Sequence, residues 1–179
     1  PAQFWPHKNH IYILKGILIL EKKYNLLVNV IFSGGDKGNK KNIIEYANNL
    51  GIRNRIIFTG FIPNHELVSI YKMSLALVMP TFFGPTNIPP LEAFKLGTPV
   101  IYPDLDGLRE QVKDAGLLID LNNPETLSKC LLELIRKKNF RDSIIEKGYI
   151  ISKKIEKIDR VDTLNAILKK FIIKFNTFR

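Results

Sequence analysis

Glu92 stands in an otherwise apolar segment, Pro89-Pro90-Leu91-Glu92-Ala93-Phe94. Its neighbours have the character of core residues, and a carboxylate among them is costly to bury unless it meets partners. Such a group accepts two hydroxyl hydrogen bonds, as a ribose diol would offer. Ahead of it lies a proline-rich, turn-rich stretch, PTFFGPTNIPP. Further features share one logic. Gly34 and Gly35, Gly60, Gly84 and Gly107 follow short apolar runs, where glycine lets a ligand come close to the backbone. Lys8 precedes a helical pattern, and several helices should begin just after these runs. Their first N–H groups are free and partly positive, which suits an anionic phosphate. Other chemistries find little support. His7, His10 and His65 match no metal-ligand spacing, so no metal or other cofactor is expected. No Ser–His–Asp pattern occurs. SGGD fits neither the dinucleotide nor the P-loop fingerprint.

The elements that would hold these residues alternate. NHIYILKGILILEKK, GNKKNIIEYANNLG, PNHELVSIYKMS, PPLEAFKLG, DGLREQVKD and NPETLSKCLLELIRKK read as helices. Asn123 is a candidate cap for the last of these. LLVNVIFSGG, RIIFTGF, SLALVMP, TPVIYP and GLLID read as strands, with a stub at AQFW. Nearly continuous apolar strands belong to parallel sheets covered on both faces. The expected fold is α/β, a doubly wound, Rossmann-like parallel sheet. Ligands then bind outside the carboxyl ends of the strands, where the loops named above gather. Two more helical patterns, around 139–149 and 152–174, close the chain. The expected organisation is a domain over 1–150, its first strand truncated, and a basic helical tail over 151–179.

The 179 residues carry 45% apolar and 25% charged side chains, as a globular protein does, with a net charge of +10. No apolar run is long enough for a spanning helix, and no signal-peptide pattern opens the chain. The single cysteine, Cys130, reads as a buried core position, which suits a reducing compartment. The basic balance favours phosphate-bearing partners. A nucleic-acid partner is not expected, because aromatics do not interleave with the basic runs. The runs RKKNFR and KKIEKIDR read mainly as solvated helix faces, with attraction to an anionic membrane as the alternative.

Taken in order, strand–GGD, F-T-G-F, E-L-x-x-x-Y, strand–P-T, P-x-L-E-A-F-x-x-G-T-P-V-I, G-L-x-E and D-A-G-L-L-I-D resemble family 4 glycosyltransferases of the GT-B fold. The resemblance covers residues 1 to about 136 and corresponds to the C-terminal, donor-binding half of those enzymes. It implies binding of a nucleoside diphosphate sugar, such as a UDP or GDP sugar, and retaining transfer to a polysaccharide, lipopolysaccharide or lipid-linked acceptor. It implies that Glu92 is the second carboxylate of an E-x7-E motif and holds the ribose hydroxyls. Gly84 stands where the first carboxylate would be. Thr86 and Asn87 could then supply polar contacts, with backbone N–H groups from Thr86 to Ile88 facing the sugar and diphosphate. The pattern G-R-L-x-x-x-K-G reads A-Q-F-W-P-H-K-N here, so Lys8 keeps the lysine position and Gln3 replaces the arginine. Gly60, Phe61 and Ile62 match the loop that borders the base, and Glu110 matches a common acidic position. By the same resemblance, the catalytic residue and the acceptor site belong to an N-terminal domain, so this chain names no catalytic residue and would be inactive in isolation. The enzyme would be cytoplasmic, or peripheral at the inner face of the membrane. The alternatives are a non-catalytic nucleotide-binding module and a sugar-nucleotide epimerase of the same fold.

Overall fold

The computed structural model describes residues 1–84, 87–157 and 160–177. Its elements follow the alternation of the sequence: α1 (His10–Tyr24), β1 (Val30–Ser33), α2 (Lys40–Asn49), β2 (Ile56–Gly60), α3 (Asn64–Met73), β3 (Leu77–Val78), α4 (Pro89–Leu96), β4 (Val100–Pro103), α5 (Arg109–Val112), β5 (Gly116–Ile119), α6 (Glu125–Arg136), α7 (Lys138–Glu156) and α8 (Arg160–Thr177). Every strand pair is parallel. Local chemistry sets several boundaries. The Asp36 carboxylate accepts the N–H groups of Gly38 and Lys40 at 2.9 and 3.2 Å and opens α2. The Asn123 side chain accepts the Glu125 N–H at 3.1 Å at the start of α6, as expected of a cap.

β4 shows why the sheet is doubly wound. All four of its residues are buried. Ile101 points into a core shared with Leu14 and Ile17 of α1 and Leu127 and Leu131 of α6. Val100 and Tyr102 point into a second core with Tyr71 of α3 and Ala93 and Phe94 of α4. Alternation along one strand therefore feeds helices on both faces.

The expectation of strands buried on both faces holds for β4 but not for β1 and β2. Ile31 and Ile57, on their second face, are 41% and 49% exposed. The reason is a break in the sheet. β1 pairs with β2, and β3, β4 and β5 form a separate three-stranded unit. A slot separates the two units, so the second face of β1 and β2 is not sealed. The stub at the N-terminus meets the loop after β1 through one parallel bridge, Phe4 to Asp36.

Two other expectations shift. α7 runs on to Glu156 instead of ending near 149, because Ile151 continues the apolar spacing and packs on the second core. Cys130 is half-buried, and burial pushes its thiol up to about 11. No helix among the described residues is long and apolar enough to cross a membrane.

Candidate functional site

The carboxyl ends of the strands form one connected rim, joined by hydrogen bonds between loops that are far apart in sequence. Gly34 N donates to Gly60 O at 2.8 Å, tying the loops after β1 and β2. Ala2 N donates to Ser33 O at 2.9 Å. Gly34 has room for no side chain, since a Cβ would lie 2.1 Å from Ala2 O. The turn Pro6–Lys8 is tied to the loop after β3. Phe82 N donates to His7 O at 3.0 Å, and the Thr81 hydroxyl, which donates to Phe83 O at 2.7 Å, lies 3.3 Å from the same His7 oxygen. The His7 and Phe83 rings stack with centroids 4.3 Å apart.

Asn87 is the hub of this rim. It is 5% exposed. Its Nδ2 donates to Gly84 O at 2.9 Å and to the Tyr102 hydroxyl at 2.5 Å. Its Oδ1 accepts from Lys8 Nζ at 3.3 Å. Its backbone oxygen accepts from Gln111 Nε2, and Gln111 Oε1 accepts from the Tyr102 hydroxyl at 3.1 Å. Gly84 lies against the same carboxamide. Its φ is +149°, and a Cβ there would fall 2.6 Å from Asn87 Oδ1. The space that a side chain at 84 would need is occupied by Asn87.

Lys8 is half-buried, and burial lowers its ammonium pKa. Among the described residues it forms no ion pair with a carboxylate, and it donates to the neutral Asn87 amide. A cation held in this way is poised to meet an anion. Glu92 lies in the first turn of α4, where the helix dipole favours a negative charge. Its Oε2 accepts from the Tyr71 hydroxyl at 3.0 Å. Burial, and then the adjacent Glu92 charge, raise the Tyr71 pKa, so Tyr71 remains a donor. The Tyr71 backbone oxygen in turn accepts from Thr98 Oγ1 at 2.8 Å. The carboxylate is thus aimed by a buried phenol on a different helix.

The structure gathers Lys8, Gly84, Asn87, Gly34 and Gly60 into the connected rim. Ile88 is exposed at the start of α4, one turn before Glu92. Gly35 is exposed and accepts from Phe4 N at 3.0 Å. Phe61 is 88% exposed and Ile62 half-buried. Gln3 is exposed, and its Oε1 accepts from Trp5 Nε1 at 2.9 Å. Glu110 is exposed in the first turn of α5. Thr86 lies outside the described residues. Tyr71 and Thr81 entered the sequence reading only as letters of the family pattern, without a role, and Tyr102 and Gln111 were not singled out. The contacts that give them their places reach partners 9 to 74 residues away, so no local pattern specified those contacts. Among the described residues no group of three His, Cys, Asp or Glu is placed to hold a metal ion.

The chain is 27% identical over 144 residues to an O-antigen chain mannosyltransferase B of Escherichia coli, covering 80% of this chain and 38% of that protein. It spans about a third of the length of the curated relatives it matches. Its fold is that of HepE from Anabaena, solved with UDP-glucose, with a TM-score of 0.78 at 19% identity over 97% of this chain and 47% of that one. It is also that of the C-terminal domain of a glycosyl transferase group 1 family protein from Francisella tularensis, with a TM-score of 0.74 at 22% identity over 88% of this chain and 84% of that one. Residues 1–150 match the family model for glycosyl transferases group 1, and the chain belongs to that family.

Proposed function

We propose that this chain is the donor-binding half of a retaining glycosyltransferase and holds a nucleoside diphosphate sugar at the rim described above. The observation that carries the reading is the presence of two opposite chemistries next to the loop after β3. Lys8, half-buried and paired with no carboxylate among the described residues, donates to Asn87 of that loop. Glu92, a carboxylate fixed by Tyr71, lies in the first turn of the helix that follows it. A nucleoside diphosphate presents both complements, an anionic diphosphate and a ribose diol. The backbone N–H groups at the start of α4 and the glycine turns would line the space between them.

Several observations support the wider reading. The chain covers most of a structure described as a C-terminal domain, and a protein of the same fold binds UDP-glucose. The acceptor site and the catalytic group would then belong to another domain of the enzyme. An O-antigen enzyme among the relatives favours a polysaccharide or lipid-linked acceptor, and α8 offers a surface for working beside a membrane. Gly84 and Gln3 favour the second reading, a nucleotide-binding module without catalysis.

Isothermal calorimetry with UDP, GDP and their sugar derivatives tests the assignment. The chain should bind one series, and Glu92→Gln should weaken that binding at least tenfold. Hydrogen bonds to a charged group are worth about 1.5–3 kcal/mol, and each 1.4 kcal/mol is about tenfold in affinity. The glutamine keeps an acceptor for Tyr71, so the thermal midpoint should hardly move. Unchanged nucleotide affinity in Glu92→Gln would remove the ribose assignment. Absence of binding by the folded parent chain would favour the module.

A further inference from the structure

The Asn87 carboxamide belongs to a chain of groups that has one possible hydrogen-bond order. Two backbone oxygens fix it. A carbonyl oxygen only accepts, so Gln111 turns its Nε2 towards Asn87 O, and Asn87 turns its Nδ2 towards Gly84 O. Gln111 Oε1 is then left to accept the Tyr102 proton, and the Tyr102 hydroxyl accepts from Asn87 Nδ2. Burial raises the Tyr102 pKa, so the hydroxyl keeps that proton. Both N–H bonds of the Asn87 amide are used in this way, and its Oδ1 is the atom that faces Lys8.

The chain is sealed where it is anchored and open where it ends. Tyr102 is fully buried and Asn87 nearly so, whereas Lys8 is half-buried. Among the described residues the Lys8 ammonium has no second hydrogen-bond partner, which leaves N–H groups for a ligand. The neutral Asn87 oxygen directs the ammonium without cancelling its charge. A lysine stem is flexible, so holding it in place beforehand removes part of the cost of binding.

We propose that Tyr102 and Gln111 are positioning residues for a nucleoside diphosphate. They orient Asn87 so that its oxygen tethers the Lys8 ammonium at the rim, and Asn87 acts on the ligand through Lys8 instead of touching the sugar. The proposal rests on the donor site assigned above. Because Tyr102 has no exposed surface, its effect on a ligand is relayed through the amide.

A double-mutant cycle tests this. Isothermal calorimetry with UDP and GDP first identifies the nucleotide that the parent chain binds. Tyr102→Phe removes the hydroxyl, keeps the ring in its core, and should weaken that nucleotide about three- to tenfold, the effect of a partly lost hydrogen bond to a charged group. In a Lys8→Ala background, read by ligand-detected NMR where binding is weak, the same substitution should change affinity less than about twofold. Its effect on the thermal midpoint should be the same in both backgrounds, since the midpoint reads structure and not the relay. Gln111→Met repeats the cycle outside the core if Tyr102→Phe fails to fold. Equal losses of affinity in the two backgrounds would mean a merely structural role and overturn the proposal, as would unchanged affinity in the Lys8 background. A parent chain that binds neither nucleotide removes the donor site and the proposal with it. A parent that binds, with no coupling in the cycle, removes the positioning role alone.

Discussion

The Asn87 carboxamide bonds to Gly84, Tyr102 and Lys8, and its neighbour Gly84 shows what that costs in freedom. A side chain at 84 would meet the Asn87 amide at 2.6 Å, on a backbone with φ +149° that side chains rarely adopt. Gly84→Ala should push the amide off Tyr102 and Lys8 and cost about 1–3 kcal/mol. For a chain of this size that is a fall of roughly 2–4 °C in the thermal midpoint per kcal/mol. Differential scanning calorimetry reads it, and an unchanged midpoint would show that the loop relaxes freely. Glu92 was legible in the sequence because a lone carboxylate among apolar residues needs a reason. The Tyr71 hydroxyl that aims it, 21 residues earlier in the chain, was not legible, since the contact depends on how α3 and α4 cross.

The helices and strands were the most legible level, because each carries its own periodicity. Helix α8 is the element on which a membrane contact can be tested. Leu164, Ile167, Leu168 and Ile172 are exposed, and their spacing places them along one stripe. Lys169 and Lys170 lie off that stripe. An apolar stripe flanked by lysines suits a helix lying in the plane of an anionic bilayer, with each lysine near the surface adding about 1 kcal/mol. In flotation assays the chain should rise with phosphatidylserine vesicles and stay down with neutral ones. Lys169→Glu with Lys170→Glu should abolish the difference. No preference for anionic vesicles in the parent chain would count against membrane contact.

At the scale of the whole molecule, His10 links the core to pH. It is buried against the Phe4 and Phe32 rings, with centroids 5.1 and 5.0 Å away. Burial lowers its pKa to about 4, against about 6.5 in an unfolded chain. The unfolded state therefore binds the proton more readily. His10 contributes its full stability above about pH 6.5 and loses it as the pH falls towards 4, at about 1.4 kcal/mol per pH unit. Urea unfolding midpoints between pH 7 and 4.5 should fall more steeply for the parent chain than for His10→Leu. Carboxylates elsewhere affect both chains, so the difference isolates the histidine. Parallel curves would show that His10 titrates normally.

Spacing along the chain was enough for the order of elements, the parallel α/β class and the end of the sheet where the candidate site gathers. Apolar periodicity, capping residues and glycine placement are local quantities, and each is written within a few residues. Glu92 and Lys8 were legible for the same reason: each is a charged group at a marked boundary. The tertiary structure decided what those boundaries do together. Only the packed chain brings Lys8, Asn87, Tyr102 and Gln111 into one network and sets Tyr71 against Glu92. It also shows that the sheet is two units with a slot between them, something no local pattern in the segments around β1 and β3 reveals. Strand pairing and side-chain convergence depend on long-range geometry, which residue spacing along the chain does not specify.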